Sequence, residues 1–124
     1  MAISFNNISI DSGVALTITP PPSSVYLWSW GRNYAGALGL GDTTNRSSPV
    51  QIGALTTWLT IAAGNYYNLA IKTDGTLWTW GLNQQGKLGL SNSTSYNSPV
   101  QIGALTNWSK VAAGASHSMA IGAV

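Results

Sequence analysis

A chain of 124 residues has room for one small domain, and its 44% hydrophobic content, six tryptophans included, supplies a core. Only 6% of the residues are charged, and the cations Arg32, Arg46, Lys72, Lys87 and Lys110 stand singly; a nucleic-acid footprint would gather them on one face, so that partner class is set aside. Cysteine is absent, which removes disulfides and thiolate metal sites, and no segment has the basic start of a signal peptide or the apolar length of a membrane span. Location stays open between the cytoplasm and a virion.

In chain order, the first 19 residues stand apart. Ile3, Phe5, Ile8 and Ile10 alternate with polar residues, as do Val14, Leu16 and Ile18, around Asp11-Ser12-Gly13. That pattern predicts a β-hairpin arm with one apolar face over residues 1–19, followed by a stiff spacer at 20–24 containing Pro20-Pro21-Pro22.

From Val25 onward the text repeats. LWSWGRNYAGALGLG, starting at Leu27, returns as LWTWGLNQQGKLGLS at Leu77, and SPVQIGALTTW at Ser48 returns as SPVQIGALTNW at Ser98. The shift is 50 each time, giving two repeats, 25–74 and 75–124. A period of about 50 lies in the range of propeller repeats. Local signals agree with an all-β fold, since short β-rich runs alternate with Gly, Pro, Asn and Asp punctuation and no helical periodicity is sustained. One repeat reads as four strands: Trp58–Ala63, Tyr67–Lys72, Leu77–Gly81 after a tight turn at Asp74-Gly75, and Pro99–Gly103, with Pro49 and Pro99 each opening a strand.

WGRNYAGALGLGDTTNRSSPVQI and AAGASHSMAI resemble the repeat of the regulator of chromosome condensation family, and the likeness runs from about Tyr26 to Ile121. The resemblance implies a β-propeller, usually of about seven blades. It also implies binding to other proteins, as in family members that act as exchange factors for a small GTPase or as enzyme inhibitors.

Laid on that blade, residues 25–55 supply strands three and four of one blade, 58–105 a complete set, and 108–121 strands one and two of another. The expectation is therefore half, full and half blade per chain, with the ring completed head to tail by further copies. The strand at Tyr26, Trp28 and Trp30 would close on that at His117, Met119 and Ile121. Two repeats per chain give twice as many blades as chains, and a trimer with six blades is favoured within the range of roughly four to eight. The rival expectation is a fragment of a longer propeller.

No catalytic, metal or cofactor site is expected. His117 stands one period after Tyr67 and reads as a blade-bracing residue, with no nucleophile or orienting carboxylate recurring beside it. GLNQQGKL, starting at Gly81, imitates a phosphate-binding loop, but Leu88 replaces the hydroxyl and no helix follows. Asp11, Asp42 and Asp74 form no acid–base pair. For tryptophan two readings stand: Trp58, Trp78, Trp80 and Trp108 as blade packing, or an exposed indole beside Asn or Gln stacking on a glycan. The functional expectation is a non-catalytic, multichain interaction module, placed by economy of a small gene in a viral particle such as a phage. The alternatives are a regulatory protein binder and a glycan-binding propeller.

Overall fold

The computed structural model describes residues 25–54 and 57–123, and three short strands between residues 3 and 18. Those strands, β1 (Ile3–Phe5), β2 (Ile8–Asp11) and β3 (Ala15–Ile18), form an antiparallel meander in the order β1-β2-β3. The arm is thus three strands rather than a simple hairpin. The alternation of Ile3, Phe5, Ile8 and Ile10 spans two strands paired in the register Ile3↔Ile10 and Phe5↔Ile8. The triple-proline spacer lies outside the described residues.

The repeats make eight strands in three sheets. β4 (Leu27–Gly31) pairs with β5 (Arg46–Ile52). β6 (Trp58–Ala63), β7 (Tyr67–Lys72), β8 (Leu77–Gly81) and β9 (Tyr96–Gln101) form a four-stranded antiparallel sheet in chain order. β10 (Trp108–Ala113) pairs with β11 (Ser118–Gly122). This is a half blade, a full blade and a half blade, as the spacing predicts.

The complete blade shows why each segment forms. β7 is buried along nearly its whole length, with Tyr67, Leu69, Ala70 and Ile71 all enclosed, because it has a strand on each side and a neighbouring blade on its faces. The β7–β8 turn runs through Thr73, Asp74 and Gly75, closed by the Lys72 N–H donating to the Thr76 carbonyl at 3.0 Å, and the Asp74 carboxylate caps it by accepting from the Thr76 backbone N–H at 3.0 Å and hydroxyl at 2.6 Å.

The fourth strands correct the reading of the prolines. Pro49 and Pro99 lie inside β5 and β9 instead of opening them. Both are outer-edge strands bonded to one neighbour, and the β8–β9 register shifts between Thr79 and Gly81, so the missing N–H costs no ladder bond.

The blades interlock through contacts that recur with the 50-residue period. The Trp58 N–H donates to the Val25 carbonyl at 3.0 Å, and the Trp108 N–H donates to that of Gly75 at 3.2 Å. Trp58 packs edge-to-face against Trp78 and Trp80, with ring centroids 6.5 and 6.0 Å away.

Candidate functional site

The repeat provides an internal comparison, because chemically matched residues meet different surroundings. In the complete blade, Leu69, Ile71 and Trp80 are 2%, 0% and 1% exposed. Their counterparts Met119, Ile121 and Trp30 are 66%, 63% and 60% exposed. What differs is the strand alongside and the neighbouring blade: Trp108 and Val111 cover the cluster of Leu69 and Ile71, and Ile52 covers Trp80. β7 is covered by β8, whereas among the described residues β11 is bonded only to β10 and β4 only to β5.

Two apolar edges are therefore open. One carries Val25, Tyr26, Trp28 and Trp30, all exposed. The other carries Met119 and Ile121, which with Lys110, Val111, Ala112 and Ala120 line a cleft of about 270 Å³. The glycines that end the tryptophan strands show the same contrast. Gly81, at φ +105°, is pressed against the Tyr66 and Tyr67 backbone, where a Cβ has no room; Gly31, at φ +107°, has nothing within 4 Å.

The structure brings together Trp58, Trp78 and Trp80 in the complete blade, and Trp108 packs half-buried against the cluster around Tyr67, Leu69 and Ile71. The six residues expected at the closure lie on the two separate edges. His117 has an exposed side chain laid over Gly114, as Tyr67 is laid over Gly64, while its backbone carbonyl accepts the Tyr67 hydroxyl.

Lys87, in the phosphate-loop lookalike, is buried. Its Nζ donates to the Asn65 and Ala115 carbonyls at 3.0 and 3.2 Å and lies 4.7 Å from the Tyr67 ring centroid. Burial holds its pKa below the usual lysine value. It bolts the complete blade to the next one and is turned away from any incoming phosphate.

Sequence reasoning missed the role of Asn33 and Asn83 inside the WG-x-N motif. Each is fully buried and organises the loop between strands three and four. Asn33 Nδ2 donates to the Asp42 carbonyl and carboxylate and to the Thr44 carbonyl, each at 3.0 Å, while its Oδ1 accepts from the Leu38 N–H at 2.8 Å. Asn83 repeats this pattern with Asn92, Thr94 and Leu88. The available signal was an asparagine at the same place in both copies. Asp42 is further held by Arg46 at 2.7 Å, and chiefly that bond keeps its pKa below the usual carboxylate value.

Comparison with known proteins matches the Regulator of chromosome condensation (RCC1) repeat to residues 26–71 and 74–121, and a second model of that repeat to 59–87. The Protein RCC2 homolog of Danio rerio is 43% identical over 53 residues, which is 41% of this chain and 11% of that protein. Among solved structures, human WBSCR16 superposes with a TM-score of 0.70 at 23% identity, over 80% of this chain and 27% of that one. A chain of the structure of Kap60 bound to yeast RCC1 (Prp20) gives 0.70 at 23%, covering 78% and 26%. Prp20p from Saccharomyces cerevisiae, a protein with binding properties to Gsp1p and histones, gives 0.61 at 17%, covering 86% and 34%. At these identities the structural likeness shows the fold. The chain spans about a tenth of its curated relative and a quarter to a third of the solved propellers.

Proposed function

The chain belongs to the regulator of chromosome condensation repeat family, and from that premise we propose that it is a protein-interaction module whose open blade edges are closed by other copies of itself. The observation that carries this reading is the burial contrast between matched residues, Leu69 against Met119 and Trp80 against Trp30. The missing cover has a known sequence. β8, which covers β7, reads LWTWG, and the exposed β4 reads LWSWG. A second copy therefore presents at its open edge the strand type that β11 lacks.

The register follows from the complete blade, where Asn68 pairs with Trp80, Leu69 with Thr79, and Ile71 with Leu77. Moved by one repeat, Ser118 of one copy meets Trp30 of the next, Met119 meets Ser29, and Ile121 meets Leu27. Trp80 Nε1 donates to the Ala37 carbonyl at 3.0 Å, so Trp30 Nε1 would find the carbonyl of Lys87, already accepting from Ser118 Oγ.

Covering Trp28, Trp30, Met119 and Ile121 contributes on the order of 2 kcal/mol each, against roughly 4–15 kcal/mol per association event. A ring of n chains gains n junctions for n−1 associations, which favours closure over an open pair. Six blades from three chains is the proposed ring. Native mass spectrometry tests it: a species three times the 13.0 kDa chain mass is expected, and a lone 13.0 kDa species at micromolar concentration would refute it.

Such a ring offers repeated loop faces to a further protein partner, as Prp20 binds Kap60 and has binding properties to Gsp1p and histones. The viral-particle setting draws no support from these relatives. A glycan-binding reading has one observation in its favour: an open cleft of about 240 Å³ lined by Trp28, Trp30, Asn68 and Trp80. It requires the indoles of Trp28 and Trp30 to stay accessible, so a ring that protects them from solvent excludes it at this cleft.

A further inference from the structure

The two blade junctions within the chain are not equivalent, and the difference concentrates in one place. At the second junction Lys87 fills the space between loops, its ammonium held by the Asn65 and Ala115 carbonyls. At the first junction the same position is Ala37, and a cleft of about 350 Å³ opens beside it, lined by Arg32, Gly64, Asn65, Tyr66 and Asn68. Arg32, Tyr34 and Tyr66 correspond one period later to Leu82, Gln84 and Ser116. A charged aromatic cluster thus occurs only where the lysine is missing.

The cluster is organised before any ligand arrives. Arg32 Nη1 donates to the Tyr66 hydroxyl at 3.1 Å, and the guanidinium carbon lies 5.5 and 5.4 Å from the ring centroids of Tyr34 and Tyr66. The two tyrosines meet edge-to-face at 5.1 Å. Tyr66 holds φ +64°, a left-handed conformation that a bulky residue adopts at a cost of about 1–3 kcal/mol, and Ser116 does not share it.

Among the described residues a single hydrogen bond occupies one of the guanidinium's five N–H groups, which leaves donors to spare. Among the described residues its natural partners are taken, Asp42 by Arg46 and Asp74 by Thr76. A planar fork fixed between aromatic rings matches a carboxylate, and one positive charge balances one negative charge. Holding the fork in advance lowers the ordering cost of binding.

We propose that this cleft, lined by Arg32 and Tyr66 beside Ala37, with the Tyr34 ring against the same guanidinium, takes an acidic side chain of a partner polypeptide, one site per chain. Both blades that form it belong to the same molecule, so the site exists whether or not copies associate. In a closed ring it would recur at every second junction.

The test is an NMR titration of the full-length, ¹⁵N-labelled protein with a capped Gly-Glu-Gly peptide, following Arg32 Nε–Hε and the Tyr66 amide. A single charge-assisted anchor corresponds to affinity of roughly millimolar order. Saturable shifts at both groups are expected, at least about five-fold weaker with Gly-Gln-Gly and with Arg32→Gln. Ala37→Lys is the deciding variant. It refills the cleft as Lys87 does while adding positive charge, so binding weakens if the cleft is the site and strengthens if the peptide merely follows surface charge. Equal or tighter binding to Ala37→Lys, absence of any shift at Arg32, or tighter binding of inorganic phosphate than of the glutamate peptide would each overturn the proposal. Native mass is read separately, so failure here and failure of the ring are distinguishable.

Discussion

Two asparagines do in the loops what the hydrophobic core does in the strands. Asn33 and Asn83 are completely enclosed, and each amide nitrogen donates to two carbonyls and one side-chain oxygen while the amide oxygen caps a backbone N–H. Removing either leaves several buried groups unpaired, at about 1–3 kcal/mol apiece before relaxation. We expect Asn33→Ala or Asn83→Ala to lower stability by about 3 kcal/mol in urea unfolding, and Asn33→Asp to do no better at neutral pH, because a carboxylate would face three oxygens. A loss within about 0.5 kcal/mol, the range of an ordinary surface change, would show that the loop holds itself. This hub was hidden in the sequence. Hydrophobic periodicity finds apolar burial, whereas a polar residue in a glycine-rich loop gives no such signal, and only its recurrence 50 residues on points to a structural duty. The same holds for Lys87, whose burial follows from two carbonyls of other loops and the Tyr67 ring of β7.

At the level of strands, Trp30 and Trp80 form a matched pair. Both stand next to last in the same LW-x-WG strand, yet Trp80 packs against Trp58 and donates to the Ala37 carbonyl while Trp30 stands open. Trp80→Ala should cost about 4 kcal/mol, the usual loss for a large core aromatic. Trp30→Ala should cost under about 1 kcal/mol in dilute, separated chains, as a surface change does, and should destabilise the protein far more at concentrations where copies associate. Equilibrium unfolding at two protein concentrations checks both; equal, concentration-independent losses would contradict the account. Strands β6, β7 and β8 were legible from their apolar content and turn residues, and so was the half, full, half division. The start of β9 was not: proline in sequence points to a strand opener, whereas an edge strand with a register shift accommodates it internally. Burial on the two outer edges was equally illegible, since the same tryptophan motif is core or surface according to what lies beside it.

At the scale of the whole molecule, we propose that the edge of β11 is covered by β4 of another copy in the register that β7 and β8 already use. Assembly mass alone reports how many chains meet, whereas register reports which strands meet. The absence of native cysteine makes the second question directly accessible. Leu69 pairs with Thr79, so the matched positions across copies are Met119 and Ser29. A one-residue slip turns a side chain to the opposite face of the sheet, which makes Met119 with Trp28 the natural control. The deciding measurement is disulfide trapping in the Ser29→Cys/Met119→Cys chain under mild oxidation, read by non-reducing mass analysis. Covalently linked multimers ending at the ring size are expected from this pair, with little or none from Trp28→Cys/Met119→Cys. A product that stays at 13.0 kDa, or equal linkage from both pairs, would contradict the account.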